Sequence, residues 1–284
     1  MRALWFTGAP NHDNALTKVR ATLALNGPIE RHDGRDFLMP PTCECRVFDV
    51  PEGARQLLMD AAAEARTDVL LVGPERPRLG IFDMDSTLIQ HEVIDELAAA
   101  FGLGPQVAAI TERAMQGELD FVQSFTERLA LLSGLAESEL QNVYARLQLM
   151  PGAESLMRNL SARGVRIGIV SGGFSYFADQ IASRLGMDFV ISNTLQCKAG
   201  YVTGHVVAPV VDGSMKEATL RGESERMGIP ISQTLAVGDG ANDIPMLKKA
   251  GVGVAFRAKP KVQAQCANRL NYQDLSALSY LVVH

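Results

Sequence analysis

Residues 79–88, Leu-Gly-Ile-Phe-Asp-Met-Asp-Ser-Thr-Leu, set a short apolar run directly ahead of two carboxylates one residue apart and two hydroxyls. Leu79, Ile81 and Phe82 have the character of a buried strand bounded by Pro77, so Asp83 falls where strand hands over to loop. In an open α/β sheet, ligands bind at such strand ends. Side chains at i and i+2 of an extended chain share a face, which would turn Asp83 and Asp85 into one pocket. Two like charges that close need a metal ion, a shared proton or hydrogen-bond donors. Taken alone, such a pair more often caps a turn or the next helix.

The same grammar recurs downstream. A helix over 153–162 precedes a strand at 165–170 and the loop Ser171-Gly172-Gly173, and a helix over 176–185 precedes a strand at 189–191. Residues 196–207 read as a hairpin flap turning at Lys198-Ala199-Gly200. A helix over 216–227 then leads to a strand at 234–237, the loop Gly238-Asp239-Gly240-Ala241-Asn242-Asp243, another helix and a strand at 252–255. Strands separated by helices predict a parallel sheet with right-handed crossovers, a doubly wound, Rossmann-like α/β core. Four helical stretches with no strand between them, at 92–101, 107–115, 121–132 and 137–147, interrupt that alternation. They predict a helical cap over about 92–150, covering the pocket.

Residues 1–73 carry a pattern of their own. Strands near 4–6, 29–39, 45–50 and 69–72 alternate with helices over 15–25 and 54–65 in the order βαββαβ, a small α+β domain. The topology is similar to that of ACT-type regulatory domains, with a packing module or a homodimer interface as the competing reading. Gly73-Pro74-Glu75-Arg76-Pro77-Arg78 reads as a linker to a second domain over 78–284. Every candidate catalytic group lies beyond that linker, so the core is expected to keep catalysis without residues up to about Gly73.

Several function classes are excluded by what the chain lacks. A net charge of −5 provides no basic footprint for nucleic acid. No apolar run approaches the ~18 residues of a membrane span, and the run at 3–6 is too short for a signal-peptide core, so a cytoplasmic protein is expected. Cys43, Cys45, Cys197 and Cys266 form neither a disulfide framework nor a Cys-x-x-Cys metal site. His91-Glu92 opens like a zinc-protease helix, but Asp95 stands where the second histidine belongs.

Three strand-end loops therefore present reactive groups: Asp83 and Asp85, then Ser171 and Gly172, then Asp239 with Asn242 and Asp243. Lys216 is the cation among them. A parallel sheet brings such loops to one edge. Carboxylates without nitrogen ligands suit a hard ion, and Mg2+ is the expected one. A hydroxyl, backbone N–H groups, a lysine and a divalent cation together describe a phosphate site.

These motifs, in this order, resemble the haloacid dehalogenase superfamily of phosphotransferases. Within it, Glu92 in Ile-Gln-His-Glu-Val, the stretch Ala114-Met115-Gln116-Gly117-Glu118-Leu119-Asp120-Phe121, Arg128 in Glu-Arg-Leu and Ala258-Lys259-Pro260 resemble the phosphoserine phosphatase family. The resemblance implies a small-molecule substrate, O-phospho-L-serine, with Asp83 as nucleophile and Asp85 as general acid and base. It implies Mg2+ held by Asp83, the backbone carbonyl of Asp85 and Asp239, with Asp243 in support. Ser171, Gly172 and Lys216, with Asn242 beside them, would hold the phosphoryl oxygens. Glu92 would take the substrate ammonium and Arg128 its carboxylate, under a lid of Met115 and Phe121. Thr126 departs from the pattern, standing where family members commonly carry a second arginine.

Overall fold

The structure, a computed structural model, describes residues 1–7, 12–116 and 118–283, with the side chains of His12 and Met115 outside that description. Two sheets organise it. The smaller is built from β1 (Arg2–Thr7), β2 (Glu30–His32), β3 (Glu44–Asp49) and β4 (Val69–Val72), antiparallel in the order β2-β3-β1-β4. Helices α1 (His12–Thr22) and α2 (Arg55–Glu64) cover one face, packing Leu16, Val19, Leu58 and Ala62 on Ala3, Trp5, Phe48 and Leu71. The order βαββαβ is the one the sequence predicts.

The larger sheet has seven strands in the order β11-β10-β9-β5-β6-β7-β8. These are β5 (Leu79–Phe82), β6 (Arg166–Phe174), β7 (Phe189–Lys198), β8 (Tyr201–Val207), β9 (Thr234–Gly238), β10 (Val252–Phe256) and β11 (Asn268–Leu270). All neighbours are parallel except β7 and β8. From β5 the chain lays β6 and β7 to one side, then crosses back to place β9, β10 and β11 on the other. The order reverses between β5 and β9, and a crevice opens at their carboxyl ends. Helices α7 (Ala153–Ser161), α8 (Ser175–Leu185), α9 (Gly213–Arg226), α10 (Ile244–Lys249) and the short α11 (Pro260–Gln263) make the crossovers.

The cap comprises α3 (Val93–Ala100), α4 (Gly104–Met115), α5 (Phe121–Ala130) and α6 (Ser138–Tyr144). Its two connections to the core pair with each other: Gln90 N–H donates to Gln148 O (3.0 Å) and Met150 N–H to Leu88 O (2.8 Å). The flap differs from expectation, because its first strand is the continuation of β7. Its tip pairs with the cap, where Gly134 N–H donates to Val202 O and Glu137 N–H to Gly200 O (both 2.9 Å). The cap is thus braced at a second point.

The strand expected over 29–39 shrinks to three residues, because side chains of the core take up the backbone beyond it. Asn159 accepts from Met39 N–H (3.0 Å) and donates to Met39 O (2.7 Å), while Ser155 Oγ also donates to Met39 O (3.0 Å). A 3-10 segment, Leu275–Val282, follows β11 and is buried throughout. It lies against α7 and against the face of the small sheet that its own helices leave bare, so Leu4, Phe6, Cys45, Val47 and Leu70 share one core with Leu278 and Tyr280. No helix among the described residues is long and apolar enough to cross a membrane.

Candidate active site

Asp83 follows β5 and its N–H donates to Val237 O of β9 (3.0 Å), which fixes it at the mouth of the crevice. Its Oδ1 accepts from Met84 N–H (2.8 Å) and lies 2.9 Å from Lys216 Nζ. Lys216 is fully buried in the first turn of α9, whose N-terminus Asp212 caps by accepting from Met215 N–H (2.9 Å). The same ammonium donates to Asp243 Oδ1 at 2.6 Å, and Asp243 Oδ2 accepts from Gly240 N–H (2.9 Å). Thr87 Oγ1 donates to Asp239 Oδ1 (3.2 Å). One lysine therefore serves several carboxyls.

Oxygens of Asp83, Asp239 and Asp243 lie within 4.8 Å of one another. Two carboxylates at such a spacing repel by about 3 kcal/mol at an effective dielectric near 20. Burial, then Asp83 and Asp243, push the Asp239 carboxyl up to about 8; burial and Asp83 push Asp243 up to about 7. Burial alone would lower the Lys216 ammonium, but Asp243 and Asp83 outweigh it and hold it above its ordinary value. An all-oxygen set with surplus negative charge fits a hard divalent cation, which would relieve the repulsion that the single ammonium leaves.

Asp85 stands outside this trio, close enough to feel the charges of Asp83 and Lys216. Its Oδ1 accepts from Val93 N–H (2.9 Å), so the carboxyl serves as a remote cap for α3. Burial, then Glu92 and Asp83, hold it well above the usual carboxylate range. A Cβ on Gly173 would come within 2.5 Å of Asp85 Oδ2, so only glycine lets the Ser171 loop approach this carboxyl. Glu92 accepts from Ser86 Oγ (2.7 Å), a residue at φ +53°, and burial raises its carboxyl as well.

Ser171 is buried in β6 where its parallel pairing with β7 shifts register, between Val170 and Phe174, and its Oγ accepts from Gly173 N–H (2.9 Å). Phe121, the first residue of α5, has its ring over Gly172, where a Cβ would meet Cζ at 2.9 Å; Asn242 Nδ2 would lie 3.6 Å from that same atom. The ring stacks on Phe125 (centroids 6.1 Å apart, planes at 9°), and the capping box of Asp120 and Gln123 sets the start of the helix. Arg128 Nε donates to Ser124 O (3.3 Å), and its charge acts on both Glu92 and Asp95. Thr126 is exposed.

The structure thus brings together Asp83, Asp239, Asp243 and Lys216, with Asp85, Ser171, Gly172 and Asn242 beside them and Glu92, Phe121 and Arg128 contributed from the cap side. Met115 closes α4, with its side chain outside the described residues. Sequence reasoning quoted Ser86 and Thr87 within the motif without giving them work, and passed over Asn193. The polar triplet Ser192-Asn193-Thr194, interrupting the apolar start of β7, was the available signal for the last.

The sequence profile of the haloacid dehalogenase-like hydrolases matches residues 78–251. The chain is 45% identical over 288 residues to the phosphoserine phosphatase SerB2 of Mycobacterium tuberculosis, covering 98% of this chain and 70% of that protein. Over its whole length it superposes on a haloacid dehalogenase family hydrolase of Salmonella enterica serovar Typhi, with TM-score 0.91 and 30% identity, covering 99% of that chain. A solved phospho-aspartyl intermediate analogue of phosphoserine phosphatase matches 73% of this chain and 100% of its own, with TM-score 0.69 and 37% identity.

Proposed function

The chain belongs to the haloacid dehalogenase-like hydrolases, and from that membership we propose that it is a phosphoserine phosphatase. It hydrolyses O-phospho-L-serine to L-serine and phosphate, the last step of L-serine biosynthesis. The observation that carries the reading is the meeting of Asp83, Lys216 and Ser171 at the sheet's reversal point, with Glu92 and Arg128 on the cap side to read an amino acid. The relatives named above support the choice of substrate.

The Asp83 carboxylate attacks phosphorus and forms an acyl phosphate, while the bond from phosphorus to the serine oxygen breaks. Asp85, kept protonated by burial and by its acidic neighbours, gives its proton to that leaving oxygen. The resulting Asp85 carboxylate takes a proton from water as the water oxygen attacks phosphorus. The bond from phosphorus to Asp83 then breaks, releasing phosphate and restoring both carboxyls. Ser171 Oγ and the Lys216 ammonium hold the phosphoryl oxygens, with Gly172 and Asn242 closing the cradle. Asp83, Asp239 and the Asp85 carbonyl, supported by Asp243, would hold Mg2+, which when bound would supply positive charge to offset the repulsion of the attacking carboxylate and the substrate dianion. Glu92 binds the ammonium and Arg128 the carboxylate, and Phe121 closes over them. The four cysteines, all unpaired, suit a reducing, cytoplasmic setting.

The test is phosphate release from a panel of small phosphomonoesters, with Mg2+ and with chelator. The expected result is a preference for phosphoserine that chelation abolishes. A best substrate without an amino-acid moiety, or transfer of the phosphoryl group to an alcohol in preference to water, would replace the assignment with another phosphatase or a phosphotransferase.

A further inference from the structure

Asn193 lies in β7 opposite Phe174 of β6, just past a register shift in that parallel pairing, and it is 1% exposed. Its Nδ2 donates to Gly172 O (2.7 Å), and its Oδ1 accepts from Val211 N–H (2.8 Å). One buried amide therefore joins the loop that carries Ser171 to the segment that leads through Asp212 into α9 and Lys216. Leaving either backbone group unpaired in this dry setting would be costly, so the two bonds fix the spacing of two otherwise separate loops.

The bond to Gly172 O also sets an orientation. In a trans peptide the C=O and N–H point in opposite directions, so drawing the Gly172 carbonyl toward Asn193 turns the Gly173 N–H the other way. There it donates to Ser171 Oγ at 2.9 Å. A serine hydroxyl has one proton to give and two lone pairs. With the Gly173 N–H satisfying a lone pair, the Ser171 proton is left for an acceptor in the pocket. We infer that Asn193 is a positioning residue for phosphoryl binding, aiming the Ser171 hydroxyl and holding it in register with Lys216, without itself touching substrate. This inference rests on the phosphatase reading for the identity of the bound group.

The test compares Asn193→Ala with wild type by inhibition constants for inorganic phosphate and for L-serine, alongside turnover. Loss of the bridge should raise the phosphate constant and lower kcat/KM by about ten- to a hundredfold, while the constant for L-serine, which has no phosphoryl group, stays within about twofold. A double-mutant cycle with Ser171→Ala should be strongly non-additive, the loss from Asn193→Ala shrinking to about threefold or less once the hydroxyl is gone. Partial unfolding would reduce the active fraction without moving either inhibition constant, so an unchanged phosphate constant overturns the inference, as does additivity in the cycle. If the alanine variant does not fold, Asn193→Ser, with a smaller void and a hydroxyl donor, is read in its place. Calorimetric titration of the full chain with inorganic phosphate gives the same comparison without turnover. If wild type prefers another phosphomonoester, the phosphoserine assignment falls while the effect of Asn193 is still measured on that ester.

Discussion

Two buried regions of this molecule treat polar groups in opposite ways. At the crevice between β5 and β9, carboxyls crowd around one lysine, and Asp239 and Asp243 are pushed up to about 8 and 7. Along the seam between the small sheet and the C-terminal 3-10 segment, the polar groups are mostly neutral and each is matched to a partner. Tyr280 Oη donates to Cys43 O (2.6 Å) with its ring edge-on to Phe37, and Asn159 Nδ2 donates to Ser279 Oγ (3.0 Å). The carboxylates there are matched too: Asp68 accepts from the N–H groups of Asn271, Tyr272 and Gln273, each at 2.8 Å, and Asp274 from Thr42 Oγ1 (3.0 Å) and Ser276 N–H (2.9 Å). The seam gains stability from its polar groups, and the crevice gives stability up to keep charge poised for a ligand. Substitutions in the two regions should therefore separate rate from stability.

The largest effect belongs to Asp83→Asn, which should lower turnover by at least about 10⁴-fold and abolish the phosphorylated enzyme. Its thermal midpoint should equal or exceed that of wild type, because one charge leaves a crowded site while Lys216 keeps Asp243. A midpoint several degrees lower would show that the crevice is also a stabilising element. Next comes Tyr280→Ala, expected to cost about 3–5 kcal/mol of stability through a cavity and an orphaned carbonyl, with kcat per folded molecule unchanged. Denaturant titration beside active-site titration reads both quantities. By the same reasoning, removal of residues 1–73, which sequence alone expects to be tolerated, strips the cover from Leu278 and Tyr280 and should yield an aggregation-prone core. A monomeric, fully active fragment would refute the shared core.

Arg128→Ala should cost about 2–4 kcal/mol in kcat/KM for phosphoserine and much less for phosphoethanolamine, which has no carboxylate for the guanidinium fork. Lys at this position should recover only part of the loss. Equal losses on both substrates would move Arg128 from recognition to support of the cap. The smallest effect is one of pH. Asp239 and Asp243 have folded-state values far above the ordinary carboxyl value of 3.8, so with chelator present the unfolded chain ionises first. Stability should then fall as pH rises from about 4 toward 8, and the stabilisation given by Mg2+ should be larger at pH 8 than at pH 5.5. Thermal midpoints with and without the ion measure it, and a pH-independent difference would mean that these carboxyls are not its ligands.

What was legible in the sequence was local. Asp83, Ser171, Lys216 and Asp239 each sit at a strand end or helix start that a few neighbouring residues define, and a parallel sheet collects such positions. The seam was not legible, because it joins residues near 4, 43, 159 and 280, and no short pattern relates them. A clue was present all the same. Ala3-Leu4-Trp5-Phe6 and Val69-Leu70-Leu71-Val72 are apolar on both faces, unlike the alternation of a strand with one face in water. The strand at 45–50 likewise packs Phe48 on the helices and Cys45 and Val47 on the seam. Asn193 escaped for a related reason: the polar triplet Ser192-Asn193-Thr194 marks a break in an apolar strand, but what its amide joins shows only once the loops on either side are placed.

The buried C-terminal segment also sets a schedule. The small sheet is synthesised well before Leu275–Val282, the eight residues that cover its second face. About two hundred residues separate them, or roughly 10–40 s of translation at 5–20 residues per second. Through that interval Leu4, Phe6, Cys45 and Leu70 lack the cover that Leu278 and Tyr280 give them in the folded chain. A message truncated just before Leu275 would encode every proposed catalytic group and still leave that surface bare. The small sheet thus finishes folding only once a segment made long after it has emerged to cover that face.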